Sequence, residues 1–302
     1  MTCFYPQEYY KTIDGRLTKN KRKAVSHMHK VTIPCRGCIG CRMDHETTWM
    51  VRNLKEAQLH KSSRCLTLTY SDKHVPRDYS LSRRAMQLFM KRLRKRFADS
   101  KLRFFLVGEY GSKTDRPHYH ALIYGLPSDG EYKWSSVEGR NYYRSSEVEK
   151  AWQEQGHVLI GDVTPQSAAY VSGYLLKNSD GWNKNYEFSH LETGELIERQ
   201  APFMACSNRP GIGRDWALRY SEEIFTHDSV PYIKGGNMRF AATPEYFLKA
   251  LERDNADDVE AIRKARRLRS KERQALLEKR PERLAVREEC LKDRIGRSNR
   301  SL

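Results

Sequence analysis

Arg116-Pro117-His118-Tyr119-His120-Ala121-Leu122-Ile123-Tyr124-Gly125 sets two histidines at the head of an otherwise apolar run that ends on a glycine. Such a run reads as a strand. Residues two apart on a strand share a face, so His118 and His120 project together while Tyr119 points the other way. Leu102 to Gly108 reads as a partner strand, joined by the long turn Tyr110 to Pro117, and this hairpin returns Glu109 toward the two imidazoles. Two imidazoles and one carboxylate suit a divalent cation and leave coordination positions open for a substrate oxygen. A bare His-x-His is as readily a chance pair on a solvated face. Polar residues heading an apolar strand, with a glutamate across the turn, call for another reason.

Outward from this hairpin, Cys65-Leu66-Thr67-Leu68-Thr69-Tyr70 reads as a strand and His157 to Val163 as another. Asp44 is placed to cap a helix running to Leu59. Ser82 to Phe97 forms a second helix, with Ala85, Leu88, Phe89 and Leu93 on one face and Lys91, Arg92, Arg94, Lys95 and Arg96 around the rest. Gln166 to Asn178 forms a further helix, entered through Thr164-Pro165 as cap and first-turn proline. Strand, helix, hairpin, helix, strand, helix implies an α+β fold with a largely antiparallel sheet. Residues 1–45 form a cysteine-rich N-terminal arm, 46–242 the mixed domain, and 243–302 a charged helical C-terminal extension.

That last helix of the mixed domain contains Tyr170-Val171-Ser172-Gly173-Tyr174-Leu175-Leu176-Lys177. Tyrosines four apart are neighbours on one helical face, with Lys177 close by. A tyrosine phenolate can attack a phosphodiester to give a phosphotyrosine, with nearby cations helping to ionise the phenol. Alone, the pair reads equally as an aromatic stripe packed into the core; the Glu-His-His hairpin upstream favours the nucleophile.

The 302 residues carry 55 Lys and Arg against 38 Asp and Glu, a formal net charge of +17. Such a surplus favours a polyanionic partner, because neutralised phosphates release counterions. No run approaches the roughly 18 apolar residues of a membrane span, and the N-terminus lacks a signal-peptide core. The expectation is a soluble, non-exported chain. Seven cysteines, three spaced Cys35-x-x-Cys38-x-x-Cys41, indicate reduced thiols and a metal knuckle rather than a disulfide framework. Three thiolates need a fourth ligand for structural Zn²⁺; Cys3 leads the candidates, followed by His27, His29 and Cys206. Unligated thiols are the alternative. Lys91, Arg92, Arg94, Lys95 and Arg96 are candidate contacts to a DNA backbone.

These residues resemble a known family. His118-Tyr119-His120 looks like the HUH motif, Leu66 to Tyr70 the first-strand motif of rolling-circle replication proteins, and Tyr170-x-x-x-Tyr174 their two-tyrosine motif, in the family's order. The run is more similar still to the replication initiators of gokushoviruses, small single-stranded DNA phages of the microvirus group. Their pattern resembles Lys91 to Arg96, Gly108-Glu109-Tyr110-Gly111, Arg116 to His120 and Asn208-Arg209-Pro210-Gly211-Ile212-Gly213, within roughly residues 1–220. The last turn has no assigned function.

The resemblance implies a central, about five-stranded RRM-like HUH sheet flanked by helices, making residues 46–242 an HUH endonuclease domain. It implies Mg²⁺ or Mn²⁺ at Glu109, His118 and His120, Tyr170 and Tyr174 as nucleophiles, and Lys177 as a supporting cation. It implies nicking of single-stranded DNA at a phage plus-strand origin in the cytoplasm of the bacterial host, with host DNA polymerase and helicase as partners. Where related motifs carry lysine before the second tyrosine, this chain has Gly173. An HUH transposase or relaxase, and a non-catalytic single-strand binder, are the alternative readings. A pure binder needs neither the paired imidazoles nor the two tyrosines.

Overall fold

The computed structural model describes residues 3–26, 30–111, 115–137, 139–177, 186–189, 194–272 and 276–300; of residues 174–177, 186–189 and 297–300 it describes the backbone alone. His27 and His29 thus lie outside the described residues. The chain groups into two compact units, one of Glu46–Val259 and one of Met1–His45 with Glu260–Leu302.

In the second of these, β1 (Gln7–Lys11), β2 (Leu17–Thr18) and β3 (Lys30–Ile33) form a small antiparallel sheet in the order β2-β1-β3. Helix α1 (Ile39–Ala57) follows. It starts before Asp44, because Arg42 N already donates to the Cys38 carbonyl at 3.0 Å, so the cysteine turn runs straight into the helix.

The larger unit is built on one antiparallel sheet. Its elements are β4 (Ser63–Tyr70), α2 (Arg83–Arg96), β5 (Arg103–Tyr110), β6 (Pro117–Tyr124), β7 (Glu131–Val137), β8 (Arg140–Ser145), α3 (Ser146–Ala151), β9 (Gly156–Asp162) and α4 (Pro165–Lys177). After β10 (Tyr186–Ser189) and β11 (Leu196–Arg199), which pair as a hairpin, β12 (Phe203–Cys206) completes it. Seven strands lie in the order β12-β5-β6-β4-β9-β8-β7, which corrects the expected count of about five. The additions sit at the edges: β12 joins β5, and the hairpin β7–β8 joins β9. Their residues are mostly exposed or half-buried, so they lack the alternating apolar signal that marks β4 or β6.

The sheet's two faces differ, as strand alternation requires. Leu66, Leu68, Leu106, Tyr119, Ala121 and Ile123 point to one face and pack with Met86, Phe89, Met90 and Leu93 of α2. Tyr119 is fully buried there, and its hydroxyl accepts the Ser82 amide at 2.8 Å. Ser82 in turn caps α2 by accepting from Ala85 N at 3.1 Å. The bulky residue between the histidines therefore pins the sheet to its helical layer. On the other face, Trp49 of α1 lies 4.9 Å from Phe105 of β5, ring centre to ring centre.

The chain continues through α5 (Arg214–Arg219), α6 (Ser221–His227), the hairpin β13 (Ser229–Lys234) and β14 (Asn237–Ala242), α7 (Glu245–Leu251), α8 (Ala256–Arg269) and α9 (Pro281–Arg300). Among the described residues no helix is long and apolar enough to cross a membrane.

Candidate active site

Strand pairing sets Glu109 of β5 directly opposite His118 of β6, and His120 follows two residues on, so all three share the α1 face of the sheet. Glu109 and His120 are only 7% and 5% exposed, and His120 Nε2 lies 3.1 Å from Glu109 Oε1. The other ring nitrogen, Nδ1, lies 3.1 Å from Thr67 Oγ1 of β4. One imidazole is thus held at both nitrogens. The donor atoms of Glu109, His118 and His120 do not all converge as the cysteine sulfurs do, among the described residues. His118 instead lines an open pocket of about 310 Å³ with Thr69, Asp72, Arg116 and His157. Burial, followed by neighbouring His120, lowers its pKa, and Glu109 opposes this. A hard oxygen and two imidazoles on one strand face fit a divalent cation, which requires the neutral imidazole.

Tyr170 stands over this pair. Its ring meets His120 edge to face, 5.4 Å between centres, and it is 54% exposed. Burial and then the charge of Glu109 raise the pKa of its phenol. Helix α4 is set at this height by its ends and its middle. Thr164 Oγ1 accepts from Ser167 N at 3.1 Å, so the Thr-Pro entry read from the sequence is the cap. Ser172 Oγ accepts from Asn53 of α1 at 3.3 Å, and Asn53 Oδ1 accepts from Tyr124 of β6 at 2.9 Å. This buried chain of polar groups ties α4, α1 and β6 together with Tyr170 turned toward the histidines. The side chains of Tyr174 and Lys177 lie outside the described residues. A Cβ added at Gly173 would sit 3.4 Å from Glu46 Oε2. Helices α1 and α4 pass closely there, against a half-buried carboxylate whose pKa burial raises.

The basic helix falls elsewhere. Helix α2 lies on the opposite face of the sheet from Glu109, His118 and His120. Arg92 Nε donates to the Ala151 carbonyl at 2.7 Å, Arg94 lies over Phe104, and Arg96 pairs with Glu147 at 2.6 Å. Lys91 and Lys95 are exposed.

Sequence reasoning did not single out Thr67, Asn53, Ser172 or the Glu56 cluster, since each acts through a partner distant in the chain. Glu56 is buried with Arg103 and accepts from Gly213 N at 2.7 Å. Arg103 also donates to the Pro210 carbonyl at 2.9 Å, and Arg52 to the Ile212 carbonyl at 3.1 Å. The turn Asn208 to Gly213 is therefore a clasp on α1 and β5. Gly213 has φ +78°, and a Cβ there would meet Phe247 at 2.9 Å, so glycine is required.

In the other unit, the sulfurs of Cys3, Cys35, Cys38 and Cys41 all lie within 4.8 Å of one another. Amides point at them: Cys35 N to Cys3 Sγ at 3.2 Å, Phe4 N to Cys38 Sγ at 3.4 Å, and Cys38 N to Cys35 Sγ at 3.4 Å. Burial pushes the Cys35 thiol up, but the Cys38 and Gly37 amides and the contact with Cys3 outweigh it, giving about 7. Cys41 is raised by burial and by its cysteine neighbours. The cluster can bind a structural metal, and Cys3 is the fourth member. Cys206 is in the other unit, on β12, beside Asn208.

Residues 63–179 match the family model of the ORF2-type replication-associated proteins. Over 237 residues the chain is 30% identical to replication-associated protein ORF2 of Spiroplasma virus 4, covering 75% of this chain and 70% of that protein. The chain belongs to the phage replication-associated proteins. Replication-associated protein VP4 of Bdellovibrio phage phiMH2K is 28% identical over 256 residues, covering 82% of this chain and 76% of that one. Replication-associated protein ORF4 of Chlamydia phage 1 is 32% identical over 154 residues, covering 48% and 38%. The resemblance to gokushovirus-type rolling-circle initiators is thereby borne out. No solved structure matches the chain. In this replication-associated protein the matched segment carries Thr67, Glu109, His118, His120 and Tyr170 together.

Proposed function

We propose that the chain is a rolling-circle replication initiator that nicks and rejoins single-stranded DNA through tyrosine. The observation that supports this most is Tyr170 standing against His120 while His120 contacts Glu109, from three different elements. The Tyr170 oxygen forms a bond to phosphorus as the bond from phosphorus to the 3′ oxygen breaks. That oxygen takes a proton and leaves as a 3′-OH primer, while the 5′ phosphate stays on the tyrosine. Mg²⁺ or Mn²⁺ held by Glu109 and His120, with His118 from the same face, supplies the charge that a phosphate oxygen and an ionising phenol need. Tyr174, one helical turn on, serves as the second nucleophile for rejoining, and Lys177 as a supporting cation. The partners are phage origin DNA and the host polymerase and helicase that use the primer, in the host cytoplasm. Lys91 and Lys95 engage only DNA that passes round to the far face.

Circular single-stranded DNA with Mn²⁺ tests this. Wild type gives a covalent 5′ adduct and Tyr170→Phe with Tyr174→Phe gives none. A double variant that nicks at the wild-type rate sinks the nucleophile assignment.

We further propose that Cys3, Cys35, Cys38 and Cys41 hold a structural Zn²⁺. Four sulfurs with amides directed at them suit thiolates on one tetrahedral ion, a closed site with no position for substrate.

A further inference from the structure

The level of the sheet that carries Glu109 and His118 extends further than the candidate centre. Pairing sets Glu109 opposite His118, His118 opposite Thr69 of β4, and Thr69 opposite His157 of β9. The four residues make one row across four strands on one face, and His157 stands two strands, about 10 Å, from His118. Between them lies the open pocket of about 310 Å³, lined by Thr69, Ser71, Asp72, Arg116, His118 and His157.

The polar groups of this pocket divide by charge. Ser71 Oγ is engaged, donating to the Gln155 carbonyl at 3.1 Å and meeting His74 Nδ1 at 2.9 Å. Thr69 Oγ1 faces the His157 carbonyl at 3.4 Å. Asp72, the one carboxylate, is paired with Arg116, whose other terminal nitrogen donates to the Tyr70 carbonyl at 3.2 Å. Arg116 is thereby fixed with N–H donors to spare, since a guanidinium has five. The His157 ring is exposed and has no hydrogen-bond partner among the described residues. The unsatisfied capacity is therefore donor capacity on a guanidinium and an imidazole. A guanidinium ligates no cation, and the only carboxylate is already spoken for, so the pocket suits an anion.

We infer that His157 and Arg116 form a phosphate subsite beside the candidate centre, holding a backbone phosphate next to the scissile one. The inference rests on the reading of single-stranded DNA as substrate. His157 is a substrate-binding residue, and it directs the strand across the sheet from β5 toward β9. Nothing in the sequence marks it: an isolated histidine opening a strand gains meaning only when β9 pairs with β4.

The test uses the full chain, fluorescein-labelled oligothymidine for binding by anisotropy, and circular single-stranded DNA with Mn²⁺ for nicking. His157→Ala raises Kd and KM about tenfold, lessens the salt dependence of binding, and leaves kcat within about twofold. His157→Arg, which keeps donors but ligates no metal, restores binding and KM. His157 is exposed, so neither variant shifts the melting temperature. Unchanged Kd and KM in His157→Ala overturn the subsite. So does a fall in kcat with weakened Mn²⁺ binding that His157→Arg fails to rescue, because His157 is then a metal ligand. Wild-type protein that binds DNA but forms no adduct sinks the nicking reading and leaves the subsite to be decided by the binding arm.

Discussion

The cysteine cluster and the Glu109–His118–His120–Tyr170 face are two candidate metal sites with opposite states of readiness. In the first, four sulfurs converge within 4.8 Å and amides already point at them. In the second, Glu109 and His120 contact each other, while His118 lines an open pocket and Tyr170 is half exposed above. The difference follows from purpose. A structural site closes all its positions, whereas a site for phosphoryl transfer keeps positions open to substrate and holds few ligands rigidly. The open site also explains why the phenol of Tyr170 is raised by Glu109: the carboxylate that repels a phenolate is the one that would hold a cation.

Three substitutions probe this contrast. Cys35→Ser should have the largest effect, since ligand loss removes binding energy that is also folding energy, several kcal/mol for a structural zinc. Metal analysis of purified protein should fall from one zinc per chain toward none, with a lower-melting transition. A variant that keeps both its zinc and its melting temperature would refute the closed site. Thr67→Val removes the partner of His120 Nδ1 and should weaken Mn²⁺ binding about 10–100-fold by calorimetry, with little change in melting. Unaltered Mn²⁺ affinity would mean that His120 is not a ligand or that Thr67 does not orient it. Ser172→Ala deletes a buried hydroxyl linking α4 to Asn53 and should cost about 1 kcal/mol in denaturant melts. Nicking should slow more than Mn²⁺ affinity falls, because Tyr170 and not the hairpin loses its support. Equal loss of both would show that α4 and the hairpin are one rigid unit.

The hairpin was legible because strand alternation is a strict period: once β5 and β6 are strands, Glu109, His118 and His120 must share a face. The entry to α4 was legible because Thr164 and Pro165 act within one turn. The edge strands β7, β8 and β12 were not, since exposed strands such as Glu131–Val137 carry no apolar alternation and owe their pairing to neighbours. The side of the sheet taken by Lys91, Arg92, Arg94, Lys95 and Arg96 was also hidden. A helix pattern shows which of its faces is apolar, but not which face of a sheet it covers.

By itself, then, the sequence determined what depends on local period and spacing: the histidine hairpin, the tyrosine helix, the Cys-x-x-Cys-x-x-Cys knuckle and the basic surplus. Only the tertiary structure decided what joins residues far apart in the chain. It brought Cys3 to complete the four sulfurs, set Tyr170 over His120 through Asn53 and Ser172, and placed His157 in the row of Glu109 and His118. Those contacts depend on strand register and helix seating, which the whole buried core fixes together and no short stretch encodes.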